Sequence, residues 1–114
     1  MRSTKSGSAR IGELNDAFRK KLPSGQGRVF ITRGINAKGV AFASKALAKV
    51  VAFDDFDEGN NPYGERDFGA FEVEREKLFW KIDYYDLSGE FGSEDPSKAT
   101  KTLRVLTIML ANEY

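Results

Sequence analysis

Histidine and cysteine are both absent from the 114 residues of this chain. Without cysteine there is no disulfide and no thiolate. Without histidine the commonest general base and the commonest nitrogen ligand for metals are missing. Ser-His-Asp and Cys-His catalysis and ordinary structural zinc sites are therefore excluded. Any catalysis would rest on carboxylates, Lys, Tyr or an oxygen-bound metal. No run of eighteen apolar residues occurs, so no membrane span is expected. The first eight residues carry Arg2 and Lys5 but no apolar stretch follows, so they do not read as a secretory signal. We read residues 1–10 as a disordered basic tail and residues 11–114 as a single domain, expected in the cytosol.

What the chain does have is charge sorted into blocks. Residues 1–53 hold eleven Lys/Arg against Glu13 and Asp16, a net +9. Residues 54–95 hold fourteen Asp/Glu against Arg66, Arg75, Lys77 and Lys81, a net −10. The overall charge of +1 thus hides a strong dipole, which bears on association and partner choice rather than on fold. Ten of the fourteen aromatics lie between Phe53 and Phe91, inside or beside the acidic block.

Ile11, Leu14, Phe18 and Leu22 mark one helical face, closed by Lys20 and Lys21 and stopped at Pro23-Ser24-Gly25. Residues 28–32 predict a short β-branched strand, and Gly34 with 36–39 a turn. Residues 41–56 predict a helix with Phe42, Ala46, Val50 and Phe53 as its apolar stripe. Residues 68–73 and 78–85 predict a β-hairpin that sends Leu78, Trp80, Ile82 and Tyr84 to the core. Its other face carries Phe79, Lys81, Asp83 and Tyr85. Phe68 and Phe71 are expected in the core as well. Asp95-Pro96 suit the start of a last helix striped by Leu103, Leu106, Leu110 and Tyr114. Val105, Ile108 and Met109 make that segment apolar nearly all round, which leaves a buried strand as the alternative. The expected fold is α+β: a small antiparallel sheet of one strand plus a β-hairpin, packed with three helices.

Candidate sites follow from the blocks. Asp55, Asp57, Glu65 and Asp67 offer hard oxygen ligands. An EF-hand reading fails, because counting from Asp55 puts Asn60 at position 6 and Arg66 at position 12. The carboxylate-lysine spacing of a metal nuclease is absent from the hairpin, where Arg75 precedes Lys77 and Phe79 precedes Lys81 by two residues. Neither a metal nor a cofactor is expected. Arg2, Lys5, Arg10, Arg19, Lys20, Lys21 and Arg28 could meet phosphates. Single-strand platforms interleave aromatics with positive charge, whereas this sequence keeps the two apart.

Several blocks resemble a known family. Phe53-Asp54-Asp55-Phe56, residues 61–69 (NPYGERDFG), residues 80–86 (WKIDYYD), residues 104–111 (RVLTIMLA) and Glu113-Tyr114 are similar to an uncharacterised family. Its members are small single-domain proteins of alphaproteobacterial plasmids, phages and genomic islands. Asn15-Asp16 and Thr32-Arg33-Gly34 extend the resemblance. The family pattern reads Asn-Asp-Pro and Gly-Glu-His-Asp where this chain has Asn61 and Arg66, so any His-dependent activity of relatives would be lost here. The resemblance transfers no activity.

With the charge split, it implies a non-enzymatic binding protein of a mobile genetic element. Such a protein would dock an acidic, aromatic-containing surface on the basic surface of a host protein or nucleoprotein complex, in the manner of an anti-CRISPR or anti-restriction inhibitor. The residues expected to bind the partner are Asp54, Asp55, Asp57, Glu58, Tyr63, Glu65, Arg66 and Asp67. The alternative is a small DNA- or RNA-binding regulator using Arg10, Arg19, Lys20, Lys21 and Arg28.

Overall fold

The computed structural model describes residues 7–114, so Arg2 and Lys5 and most of the expected tail lie outside the described residues. Helix α1 spans Gly7–Lys20. Its first turn takes in four residues assigned by sequence to the tail. Ala9 and Arg10 are good helix formers, and Arg10 pairs with Glu13 one turn on at 3.2 Å. Strand β1 (Arg28–Ile31) follows, then α2 (Arg33–Ala37) and α3 (Val40–Ala52). A long loop leads to the hairpin of β2 (Phe68–Val73) and β3 (Glu76–Tyr85), and β4 (Leu103–Leu110) closes the sheet.

The class is α+β as expected, but the sheet differs from the expected one. It has four strands in the order β1-β4-β3-β2 and is mixed, because β1 runs parallel to β4. The last apolar segment is therefore a strand and not a helix. It lies between β1 and β3, so both its edges are paired and both its faces are at least half covered. A central strand covered in this way reads as continuous apolar sequence. Asp95 caps no α-helix. Its carboxylate accepts from Ser97 N at 3.1 Å, and a single 3₁₀ turn, Ala99–Lys101, lies between it and β4. The third helix lies instead at α2, in a segment expected to be a turn. Glu113 secures it by accepting from Thr32 Oγ1, Gly34 N and Leu110 N at 2.6–2.9 Å, which binds α2 to the end of β4.

The helices lie on one face of the sheet. Register pairs Gly69 with Trp80 and Trp80 with Ile108, so Leu78, Trp80, Ile82, Leu106, Ile108 and Leu110 share that face and are buried. Phe42, Ala46 and Val50 of α3 cover them, while Phe71 and Tyr84 pack at the edge of the core. Phe68 departs from expectation by facing the other side. There it joins Phe79 and Tyr114 in a three-ring cluster with centroids 5.2–5.8 Å apart. Lys81 and Asp83 form a 2.6 Å pair on the same face. The hairpin turns through Glu74 and Arg75, both at positive φ as a type I′ turn requires.

Trp80 is the centre of the core. It is fully buried, with Phe53 and Phe56 edge-on at 5.5 and 6.1 Å. This explains why α3 stops at Ala52: Phe53 takes an extended conformation and turns its ring onto the indole. A side chain at Gly69 would overlap Trp80 Nε1 and lie 2.6 Å from Phe53, so the neighbouring strand must be bare there. Trp80→Ala should destabilise the fold by about 3–5 kcal/mol, and Gly69→Ala by about 1–3 kcal/mol. Chemical denaturation measures both. The wild-type indole should emit blue-shifted light and resist iodide, and a freely quenched Trp80 would contradict this packing.

Candidate functional site

The α3–β2 loop runs through residues 53–67. Phe53 and Phe56 point inward, which leaves Asp54 and Asp55 outward and exposed. The loop then folds on itself. Asp57 Oδ1 accepts from Gly59 N and Asn60 N at 2.8 and 3.0 Å. Asn60 returns a bond from Nδ2 to Asp55 O at 3.0 Å and accepts Asp57 N at 2.9 Å. These are the local side-chain bonds to backbone that Asp and Asn favour in turns. Asn61 Oδ1 accepts from Arg66 N at 2.8 Å, which closes the second half of the loop.

Beneath the loop lies α1. Gly64 O packs directly on Gly12, where any Cβ would overlap it. Asn15, fully buried, donates through Nδ2 to Glu65 O at 2.9 Å and to the Tyr84 hydroxyl at 2.8 Å. Its Oδ1 accepts from Arg104 Nε at 2.6 Å. The Tyr84 hydroxyl donates onward to Glu65 Oε1 at 3.1 Å. One turn along, Arg19 donates to Val50 O at 2.7 Å and to Asp16 at 3.1 Å. The other Asp16 oxygen accepts from Arg66 at 2.8 Å.

The structure divides the expected partner-binding residues. Asp54, Asp55, Asp57, Glu58 and Tyr63 are exposed, Tyr63 by 77%. None of the four carboxylates joins an ion pair among the described residues, although acids elsewhere in the block do. Glu74 pairs with Lys45 of α3 at 2.9 Å and Glu76 with Lys38, at the end of α2, at 2.8 Å, so the two helices neutralise the hairpin turn. Glu65, Arg66 and Asp67 hold the loop in place. Arg66 bridges to Asp16 and lies over Phe56 at 5.1 Å. Asp67 is half-buried, and its carbonyl accepts Ile82 N. Burial raises its carboxyl above the ordinary aspartate range, and the charge of Glu65 pushes the same way. Burial lifts the Tyr84 phenol as well.

The basic residues are also divided. Lys20, Lys21 and Arg28 are exposed, and Arg10 is occupied with Glu13. Arg19 does not belong with them: it is 1% exposed, with its guanidinium 5.2 Å from the Trp80 ring. It cannot reach a phosphate. Its position one turn after Asn15 points it at α3, and no composition argument distinguishes it from the lysines beside it. Asn15 and Arg104, both central here, were not singled out as site residues by sequence reasoning. The only sign was the resemblance at Asn15-Asp16 and at residues 104–111. Among the described residues no three His, Cys, Asp or Glu are grouped to hold a metal ion, and no helix is long and apolar enough to cross a membrane.

The fold and the site define a mixed-sheet α+β domain that presents an acidic loop braced by a buried polar seam. The family described as "Protein of unknown function (DUF3768)" matches residues 31–113, and the chain belongs to that family. No curated protein and no solved structure matches the chain. The matched span holds the loop, the hairpin, β4 and Glu113, while Asn15 and Arg19 of α1 lie before it.

Asn15→Ala would leave Arg104 Nε and Glu65 O without partners inside the fold, which should cost on the order of 3 kcal/mol in denaturant unfolding. Asp67→Asn should have the opposite effect at neutral pH. The folded chain holds the Asp67 proton more tightly than the unfolded chain, so stability is full at acid pH and falls as pH rises through the raised pKa. Melting temperatures of the two proteins should converge near about pH 3 and separate by about pH 7, with Asp67→Asn the more stable.

Proposed function

We propose that the protein is a non-enzymatic binding protein that docks its acidic loop on a basic surface of a host protein or nucleoprotein complex. The single observation that supports this reading is the state of four carboxylates. Asp54, Asp55, Asp57 and Glu58 stand exposed on a loop held by its own hydrogen bonds, beside exposed Tyr63, and none of the four forms an ion pair among the described residues. A preformed negative patch steers a basic partner and loses little entropy on docking. Tyr63 adds an amphipathic ring of the kind enriched at interfaces. The family resemblance, with its setting on plasmids and phages, supports a nucleic-acid-processing or defence complex as target, inhibited in anti-CRISPR or anti-restriction fashion.

The alternative, DNA or RNA binding through the basic N-terminal half, keeps Lys20, Lys21 and Arg28 but loses Arg19 to the core. Fewer exposed cations mean fewer phosphate contacts. Charge reversal separates the two readings. Asp54, Asp55 and Glu58 changed together to Lys, sparing the Asp57 bonds that shape the loop, should abolish inhibition in a host defence assay. The same variant should slow association with the captured target by about tenfold or more at low salt. Lys20 and Lys21 changed to Glu should leave both unchanged. Inhibition that survives the acidic reversal and disappears with the lysine change would transfer the function to α1 and nucleic acid.

A further inference from the structure

A cleft of about 580 Å³ opens between α1, the loop after it and the segment joining β3 to β4. That volume falls in the range of small-molecule sites. None of its lining residues belongs to the acidic loop. Leu14, Phe18, Leu87 and Leu103 supply an apolar wall. The only ionisable side chains in the lining are Lys21 and Arg104, and both are cationic.

Arg104 is the unusual member. It is 6% exposed, yet no carboxylate forms an ion pair with it. Its Nε donates to Asn15 and its Nη2 to Pro96 O at 2.6 Å, and the guanidinium lies over Tyr84 at 5.3 Å. Nη1 donates to nothing among the described residues. Among the described residues the fully buried side-chain polar atoms with no partner are Arg19 Nε and Trp80 Nε1, so Arg104 Nη1, also without a partner there, keeps slight contact with solvent. Arg19 shows how this chain otherwise treats a buried guanidinium: it supplies Asp16 and two backbone carbonyls. Arg104 has no such carboxylate. Glu65 lies near enough to favour its charge but makes no pair with it, and Arg10 opposes that charge. Burying an unpaired cation is costly, and burial lowers the Arg104 pKa accordingly. An anion from outside the chain would complete the set of partners.

We propose that this cleft is a binding site for a small amphipathic carboxylate, its head on Arg104 Nη1 with Lys21 at the mouth and its hydrocarbon against Leu14, Phe18, Leu87 and Leu103. A guanidinium fork matches a carboxylate's two oxygens, and one buried cation suits a single negative charge. The apolar wall selects against small inorganic anions, and the absence of any acid in the lining selects against amines.

The test is titration of the whole chain with sodium octanoate, acetate, octylamine and inorganic phosphate, followed by calorimetry and by NMR of side-chain guanidinium and leucine methyl signals. Octanoate should bind at one site, at least about tenfold more tightly than acetate, phosphate or octylamine. It should shift the Arg104 signals while leaving those of Arg19 in place. Because Arg104 holds Asn15, its own replacement risks unfolding, so Lys21→Glu and Leu87→Asp serve as the variants, both at exposed positions. Each should weaken octanoate by about fivefold or more without moving the melting temperature of the free protein. Octylamine binding as well as octanoate would overturn the anion assignment. Methyl shifts without a response at Arg104, no saturation by about 10 mM octanoate, or full affinity in both variants would overturn the site.

Discussion

A buried polar seam along one side of α1 determines how the pieces of this domain fit together. Asn15 and Arg19 lie one turn apart, both sealed from solvent, and between them they bond to α3, the acidic loop and the Tyr84 and Arg104 side chains of the two central strands. Burying two such groups costs free energy unless their donors and acceptors find partners, and among the described residues all but Arg19 Nε do, so the seam tolerates few alternative arrangements. Apolar packing alone would hold α1 against the sheet without fixing its rotation or its height. Asn15 does both, because its amide must meet a loop carbonyl on one side and a guanidinium on the other. The loop then inherits its position from the helix, through Gly64 on Gly12 and Arg66 on Asp16.

The same arrangement resolves the charge blocks. Folding brings the end of α2 and the basic α3 beside the acidic hairpin, where Lys38 and Lys45 neutralise Glu76 and Glu74. Exposed pairs of this kind stabilise little, but they remove those acids from the outward field. Among the described residues Asp54, Asp55, Asp57 and Glu58 of the loop form no such pair. A −10 stretch in sequence thus becomes a quenched region and an unquenched one, and only the second can act at a distance.

Much of the hairpin was legible in advance. Alternation at Leu78, Trp80 and Ile82 has only one reading when one face is buried, and the turn fell where the pattern broke. Other features were not. The β4 segment had no period because both its faces and both its edges are covered, a property of its neighbours rather than of itself. The short α2 depends on Glu113, nearly eighty residues away, to fill its first turn. Phe68 and Phe71 looked alike in sequence, yet the pleat sends them to opposite faces.

By itself the sequence determined the α+β class, the indole at the centre of the core, the lack of histidine and cysteine chemistry, and the presence of an acidic loop. Local pattern suffices for these, since they depend on residue type and short-range spacing. Only the tertiary structure decided that β1 runs parallel to β4, that Arg19 is a core residue while Lys20 is not, and which carboxylates remain unpaired. Each of those rests on contacts between residues distant in the chain. Whether a charged side chain is buried and satisfied or exposed and free is set by what long-range folding places beside it.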